Sequence, residues 1–372
     1  MQHTKRRLAE HLKTLEFKDK HIIIGFDGFV DEIVHAVDKR MDSTTWSRID
    51  YMQDFAKRIE KAAGLSTNIE LVPMVEKIGG NGPIMCLALA QHQSHITYIG
   101  ALGTPSIHPV FMGLPENVNV VSIANYGHTD AVEFKDGKLM LGKLKPILND
   151  VNYDAMLSHI PKETLVSLLN NVDLFATVNW SMLPHMTSIW QRMALEILPK
   201  LNKRNRKPFM FVDLADPEKR VHQEIMDALY VLSSFNPYFN VVLGLNKKEA
   251  YDIATIFGLD AKHKSLNEVN MFIYDKLNIY GVVIHPVDQS SAVIDHIYYH
   301  DMGPLAKNPK LTTGAGDNFN AGFMFGLILD LDIADALLLG MATSGFYVRQ
   351  ARSPKYEEII QFLIDWENQN ID

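Results

Sequence analysis

Short apolar runs recur along the chain, and longer stretches with helical spacing of apolar residues separate them. The runs occupy positions 21–26, 95–100, 172–178, 208–214, 240–245 and 281–286. Several are apolar throughout instead of alternating, which is typical of parallel strands covered on both faces. Strands that alternate with helices in this way favour an α/β fold, with an open and mostly parallel sheet flanked by helices on both sides.

Three other segments have a different pattern. Two runs of alternating polarity flank Asp136-Gly137, which predicts a β-hairpin within 129–145. Segments 32–37 and 70–76 are predicted to be strands of mixed polarity. We interpret the three segments as a small separate sheet, inserted into a single domain that spans 1–372.

The composition excludes several classes of function. With 47% hydrophobic and 22% charged residues, the chain is expected to fold as a soluble globular protein. The net charge is −8 and the basic cluster at 203–207 is short, so nucleic acid is not expected as a partner. No apolar run is long enough to cross a membrane, and the charged N-terminal stretch is predicted to be a surface helix and not a signal peptide.

Cysteine and histidine usage adds two expectations. Cys86 is the single cysteine and lies in an apolar run, which predicts a buried thiol in a reducing, cytoplasmic compartment. His92 and His95 flank a loop before a strand, and we expect surface roles for both, without metal ligation.

A glycine-rich segment, "LTTGAGDNFNAGF" at 311–323, carries the strongest chemical signal. Gly314, Ala315 and Gly316 remove side chains where a helix begins, and Asp317 follows them. Helix N-terminal amides bind anions, so this layout suggests phosphoryl transfer in which one carboxylate orients the attacking hydroxyl. Alternatively, the small residues only allow close helix packing and Asp317 caps the helix, and the spacing does not decide between the two. The segment is neither a Walker A loop nor a dinucleotide fingerprint.

Three segments, in the same order as in the family, resemble the signatures of ribokinase-like (PfkB-type) carbohydrate kinases. Segment 312–323 is similar to the C-terminal signature, 77–103 to the N-terminal one, and "NKKEA" at 246–250 to the N-x-x-E motif. The resemblance implies a ribokinase-like three-layer sandwich with a small β-sheet lid. It also implies transfer of the ATP γ-phosphoryl group, with Mg²⁺, to a hydroxyl of a sugar or sugar-like molecule.

The resemblance also implies roles for individual residues on the nucleotide side. Asp317 would be the general base, and the amides of Gly314, Ala315 and Gly316 would form the anion hole. The residues implied to contact Mg²⁺ or the nucleotide phosphates are Asn246, Glu249 and Thr313, with Glu249 reaching the metal through water. Without the other motifs, Asn246 and Glu249 would be interpreted as a helix N-cap and an exposed acid.

On the acceptor side, the resemblance points to the first glycine pair and to an acid after the first strand. Gly79, Gly80 and Asn81 match the region that contacts the substrate in the family. Asp31 matches the acid that holds sugar hydroxyls, and Asp27 competes with it because the alignment is uncertain by a few residues. Both acids also fit simple turn residues. Asn179 and Trp180 follow a strand end, where they could touch substrate or only cap and cover the sheet.

The chain departs from the family pattern at three places. Leu311 replaces an aspartate that helps bind a monovalent cation in many relatives, so potassium activation is in doubt. Ile84 stands where an asparagine is usual, and "HPVD" at 285–288 replaces a Thr-x-Gly turn near the nucleotide. The base, the glycines and the N-x-x-E pair remain, which favours an active enzyme.

Two other functions remain open at this point. One is a kinase for a nucleoside or another small alcohol, because the signatures report the chemistry more than the acceptor. The other is a non-catalytic ligand-binding relative, suggested by the three departures. Some relatives form a homodimer through the lid, which makes a homodimer a candidate assembly.

Overall fold

The computed structural model of this protein describes residues 4–15, 19–143 and 146–371. The strands are β1 His21–Phe26, β2 Phe29–Arg40, β3 Trp46–Arg48, β4 Leu71–Gly79, β5 His95–Ala101, β6 Val118–Ala124, β7 Gly127–Phe134, β8 Gly137–Gly142, β9 Leu174–Thr177, β10 Phe209–Asp213, β11 Asn240–Leu245, β12 Gly281–Ile284, β13 Gln289–Ile294 and β14 Ile297–Met302. The helices are α1 Lys5–Leu12, α2 Met52–Lys61, α3 Asn81–Ala90, α4 Tyr153–His159, α5 Lys162–Asn171, α6 Met186–Glu196, α7 His222–Val231, α8 Lys247–Ile256, α9 Leu266–Lys276, α10 Ala315–Ile328, α11 Ile333–Gln350 and α12 Tyr356–Glu367.

The large sheet contains the predicted apolar runs. Its strand order is β14-β13-β12-β11-β10-β9-β1-β5-β6, and the strands from β12 to β6 run parallel. The edge strands β13 and β14 are antiparallel. The prediction of a mostly parallel sheet is therefore confirmed.

Helices cover this sheet on both faces. Alternate side chains of one strand enter two separate cores, since Ile23 packs with the layer of α4 to α9 whereas Ile22 and Ile24 pack with α1, α3 and α10 to α12. Burial on both faces explains why the central strands are apolar at successive positions. The result is the predicted three-layer α/β sandwich.

The small sheet has the order β3-β2-β7-β8, and β4 pairs antiparallel with β2 from Phe29 to Ala36. The predicted segment 32–37 lies within β2, β4 contains all of the predicted segment 70–76 except its first residue, and the predicted hairpin forms as β7 and β8. Residues 144 and 145 of that hairpin prediction lie outside the described residues. Helix α2 covers one face through a small core in which Phe55 packs on Val34, Val132 and Phe134.

Two buried side chains lie in the layer that contains α3. Cys86 is buried, as predicted. His92 is not at the surface, which corrects the sequence-based expectation: it is fully buried, and its ring stacks 4.3 Å from that of Phe325. The flat imidazole packs there like an aromatic side chain. The position of His92 next to a loop in the sequence gave no sign of this burial. In the part of the chain that the structure describes, no helix has both the length and the apolar character needed to cross a membrane.

Candidate active site

The candidate site lies at the carboxyl edge of the large sheet. Five neighbouring parallel strands each end at or just before a polar residue. In the order β12, β11, β10, β9 and β1, these residues are His285, Asn246, Asp213, Asn179 and Asp27. The N-terminus of α10 lies against this row, because Asn320 bonds to Asp213 and the ring of Phe319 lies 4.9 Å from that of His285. Open α/β sheets bind their ligands at this edge.

Asp317 lies in the first turn of α10 and is only 8% exposed. Its Oδ1 accepts a hydrogen bond of 2.9 Å from Asn81 Nδ2. Burial, followed by the nearby negative charges of Asp27 and Glu249, raises the pKa of Asp317 to about 7. A carboxylate with this pKa is suited to accepting a proton near neutral pH.

The turn before α10 presents backbone amides. Gly314 has φ 88°, and a Cβ there would lie 2.8 Å from the Tyr347 hydroxyl, so both conformation and space require glycine. The Ala315 amide already donates to the Thr312 carbonyl at 3.1 Å. The amides of Gly314 and Gly316 bond to no other described residue. Of the three predicted anion-hole amides, these two are therefore available, at the positive end of the helix dipole.

Asp27 lies beneath the first glycine turn and is fully buried. Its carboxylate accepts bonds from the Gly82 amide at 2.9 Å and from Asn179 Nδ2 at 2.7 Å. Burial raises the pKa of Asp27 to about 6. These contacts tie Asp27 to the first turn of α3, and they connect Asn179, with φ 63°, to the same cluster. Trp180 is fully buried.

Substituting Gly82 tests this cluster. A Cβ at Gly82 would lie 2.4 Å from both Asp27 Oδ1 and the Tyr98 hydroxyl. Because both groups are buried, we expect Gly82→Ala to lower the free energy of unfolding by about 1–3 kcal/mol, as overpacking does. Urea unfolding measures the change. Gly142→Ala is the matched control, since nothing lies within 4 Å of that Cβ; equal effects of the two variants would contradict the account.

Asp31 faces open space, unlike Asp27. It lies on β2 and lines a cleft of about 790 Å³, here called the lid cleft. The small sheet also contributes Ile33, Ala131 and Met140 to the lining of this cleft, and α3 contributes Ile84 and Leu87. Burial raises the pKa of Asp31, and a hydrogen bond with Thr129 opposes that shift. Gly79 leaves room for this carboxylate, because a Cβ at Gly79 would lie 2.4 Å from Asp31 Oδ1.

A second space, here called the edge cavity, lies on the other side of the glycine turn. It has a volume of about 340 Å³. Its lining combines polar residues, among them Asn246, His285 and Thr312, with apolar ones, among them Pro304, Met341 and Val348. Thr313 lines the lid cleft instead. Successive residues of the turn therefore line different spaces: Thr312 lines the edge cavity together with Asn246, and Thr313, which the resemblance implies contacts Mg²⁺ or phosphate, lines the lid cleft.

Asn246 and Glu249 form the start of α8. Asn246 Oδ1 accepts from the Glu249 amide at 2.9 Å, and Glu249 Oε2 accepts from the Asn246 amide at 2.8 Å, which is a capping box. Glu249 Oε1 accepts from the Asp216 amide at 2.9 Å. Glu249 is 4% exposed, so it is a buried acid and not an exposed one, and burial raises its pKa. Each of its oxygens retains a free lone pair for water or a cation.

Asp213 is a residue that the sequence analysis missed. It is buried at the end of β10 and accepts a bond of 3.1 Å from Asn320 Nδ2. Burial, and then the charges of Glu249 and Asp317, raises its pKa well above the ordinary value. Its sequence signal is an acid that ends an apolar strand. The carboxylates of Asp213, Glu249 and Asp317 form no ion pair with a described residue. Buried carboxylates without a compensating positive charge favour the binding of a divalent cation with oxygen ligands.

Comparisons with known proteins agree on one family. A family model described as prokaryotic ketohexokinase matches residues 2–366. A curated relative, the ketohexokinase of Haloferax volcanii, is 26% identical over 344 residues, which cover 92% of this chain and 90% of the relative.

Solved structures share the fold at low identity. The ribokinase of Arabidopsis thaliana, complexed with ribose and ATP, has a TM-score of 0.62 at 13% identity and covers 93% of this chain and 98% of its own. The adenosine kinase of Sinorhizobium meliloti has a TM-score of 0.63 at 14% identity and covers 93% of this chain and 99% of its own. The fold is therefore common to sugar and nucleoside kinases.

Proposed function

The chain belongs to the prokaryotic ketohexokinase family and is a carbohydrate kinase of the ribokinase-like type, and from this premise we propose that it transfers the γ-phosphoryl group of ATP to a hydroxyl of a ketohexose. The name of the Haloferax volcanii relative supports the choice of a ketohexose over other sugars.

One observation carries the proposal: the residues around Asp317 separate two spaces of different character. Thr313 and Ile84 line the lid cleft, and Gly316 lines the edge cavity on the other side of the same turn. We assign the acceptor to the lid cleft and the nucleotide to the edge cavity, with the base of the nucleotide against the apolar lining residues Pro304, Met341 and Val348. The transferred group would then pass over the glycine turn.

The residues of this chain have the following proposed roles. Asp31 accepts hydrogen bonds from acceptor hydroxyls, and Gly79 and Gly80 let the acceptor approach the backbone. Asp317 accepts the proton of the attacking hydroxyl while Asn81 fixes its carboxylate. The amides of Gly314 and Gly316 stabilise the charge on the transferred phosphoryl group. Asp27 holds the turn from below.

The donor set fits Mg²⁺. Asp213, Glu249 and Asp317 offer hard oxygen ligands. Burial raises the pKa of all three, and neighbouring carboxylates add to the shifts of Asp213 and Asp317. Because these carboxylates do not converge on one point closely enough to hold an ion together, we propose that Glu249 and Asn246 hold it through water. When bound, Mg²⁺ neutralises charge on the transferring phosphates.

Leu311 leads us to expect that the activity does not depend on potassium. Its apolar side chain lines the lid cleft and offers no oxygen ligand to a cation. Replacing K⁺ by Na⁺ at constant ionic strength is therefore expected to leave kcat unchanged. Initial rates of ADP release measure this, and several-fold activation by K⁺ would show that another group supplies the missing ligand.

The proposed acceptor is tested by ADP release with Mg·ATP across ketohexoses, aldoses, sugar phosphates, nucleosides and polyols. The expected result is the highest kcat/KM with a ketohexose. A nucleoside with the highest kcat/KM would establish the alternative nucleoside kinase, which has the same fold. ADP binding without stimulation by any acceptor would refute the proposed reaction. We also infer a cytoplasmic location, since Cys86 is an unpaired thiol and ATP is the phosphoryl donor.

A further inference from the structure

A tyrosine of α11, Tyr347, contacts the glycine turn before α10. It is 7% exposed, and its hydroxyl donates a hydrogen bond of 2.8 Å to the Thr313 carbonyl. A Cβ on Gly314 would lie 2.8 Å from the same hydroxyl, so the two groups are in close contact. Burial, followed by the charge of Asp317, raises the pKa of Tyr347 to about 12. The hydroxyl therefore keeps its proton at neutral pH and acts as a donor.

The segment that Tyr347 contacts is a β-turn from Thr312 to Ala315. The Ala315 amide donates to the Thr312 carbonyl at 3.1 Å, and Gly314 has φ 88° and ψ 0°. These angles match the third position of a type II turn. The central peptide group of such a turn joins its second and third residues, so here it consists of the Thr313 carbonyl and the Gly314 amide. The tyrosine hydroxyl therefore bonds to the central peptide group.

This hydrogen bond sets the direction of the Gly314 amide. The Thr313–Gly314 peptide bond is trans, so its N–H and its C=O lie in one plane and point in opposite directions. Type I and type II turns differ in the direction of the central peptide group, and glycine fits both because it tolerates either sign of φ. A donor on the Thr313 carbonyl opposes this rotation. It also polarises the peptide group, which strengthens the N–H as a donor.

We propose that Tyr347 is a positioning residue of this kinase: its hydroxyl holds the Thr313–Gly314 peptide group so that the Gly314 amide points at the transferred phosphoryl group. This rests on the proposed role of that amide in the anion hole. Tyr347 and Thr313 both line the lid cleft. A residue on the acceptor side of the turn thus directs a donor that serves the phosphoryl group.

The test is Tyr347→Phe, which removes the hydroxyl and keeps the ring. We expect kcat to fall roughly tenfold or more, because one anion-hole donor loses its fixed direction. Complete removal of such a donor costs about a hundredfold or more. The affinity for Mg·ADP, which lacks the transferred group, should not change in calorimetric titration.

Tyr356→Phe is the matched control. Tyr356 is 5% exposed, its hydroxyl donates a bond of 2.7 Å to the Leu12 carbonyl, and it lines neither the lid cleft nor the edge cavity. Both variants lose one hydrogen bond to a main-chain carbonyl, so we expect similar decreases in melting temperature, but a loss of kcat in Tyr347→Phe alone. Unchanged kcat in Tyr347→Phe, or the same loss of kcat in both variants, would overturn the proposal.

An NMR measurement reports on the amide itself and does not need turnover. The dipeptide Thr-Gly occurs once in the sequence, at 313–314. Labelling threonine carbonyls with ¹³C and glycine amides with ¹⁵N therefore selects the resonance of the Gly314 amide. We expect Tyr347→Phe to shift this resonance and Tyr356→Phe to leave it in place. An unmoved resonance in Tyr347→Phe would overturn the proposal even if kcat falls.

The two measurements together separate this inference from the proposed reaction. If the wild type turns over an acceptor and Tyr347→Phe has the same kcat, only the role of Tyr347 fails. If no acceptor is turned over while the Gly314 resonance still depends on Tyr347, the control of this amide by Tyr347 stands and the proposed reaction fails.

Discussion

Replacing Asp317 by asparagine is expected to lower kcat at least about a hundredfold, the loss typical of removing a general base. The amide keeps the shape of the side chain but cannot take the proton of the acceptor hydroxyl. KM for ATP and for the acceptor should change little, because Asp317 acts in the transition state. In the wild type, kcat/KM should fall as the pH drops through about 7, where Asp317 becomes protonated.

Asp330→Asn is the matched control, since Asp330 lies just beyond the end of the same helix and its side chain is 64% exposed. Stability has the opposite trend to activity. Because the pKa of Asp317 is raised from 3.8 to about 7, this group adds to the free energy of unfolding fully below pH 3.8. The added stability is lost progressively as the pH rises to about 7. The melting temperature of Asp317→Asn should therefore equal or exceed that of the wild type at pH 8. Retained kcat would contradict the role of Asp317, and a lower melting temperature would indicate damage to the fold.

Replacing Asp31 by alanine is expected to lower kcat/KM for the acceptor at least about a hundredfold, because hydrogen bonds from hydroxyls to a carboxylate are among the stronger ones. Asp31 lies in the lid cleft, away from the edge cavity, so KM for ATP should not change. Steady-state kinetics with each substrate varied in turn separate the two effects.

Asp38→Ala is the control for Asp31, because Asp38 lies toward the other end of β2 with a side chain 49% exposed. It should leave both KM values unchanged. A loss of ATP affinity in Asp31→Ala, or unchanged acceptor kinetics, would place the acceptor outside the lid cleft.

The sequence predicts the buried strands better than the edges of the sheet. β1 and β11 begin and end at the predicted residues 21–26 and 240–245, because strands covered on both faces must be apolar at each position. β6, β13 and β14 were missed. The turn between β13 and β14 has Asp295 and His296 at φ 49° and 64°, so the hairpin lacks the glycine that marks the turn at Gly137.

The part of the candidate site that is contiguous in the sequence was predictable, and the part that several strands bring together was not. Asp317 and its glycines are contiguous in the sequence and resemble a known signature. Asp213, Asn179 and His285 lie at or just after the ends of three separate strands, and only the strand order brings them to one edge. The choice between Asp27 and Asp31 also needed the structure, because burial places one beneath the glycine turn and the other in the lid cleft.

A crystal structure with a ketohexose and a Mg-bound, non-hydrolysable ATP analogue tests the central claim most directly. The account predicts the ketohexose in the lid cleft, with one hydroxyl within about 3.2 Å of an Asp317 oxygen. It also predicts the terminal phosphate at the amides of Gly314 and Gly316. A nucleotide outside the edge cavity, or a ketohexose whose hydroxyls do not reach Asp317, would contradict the account.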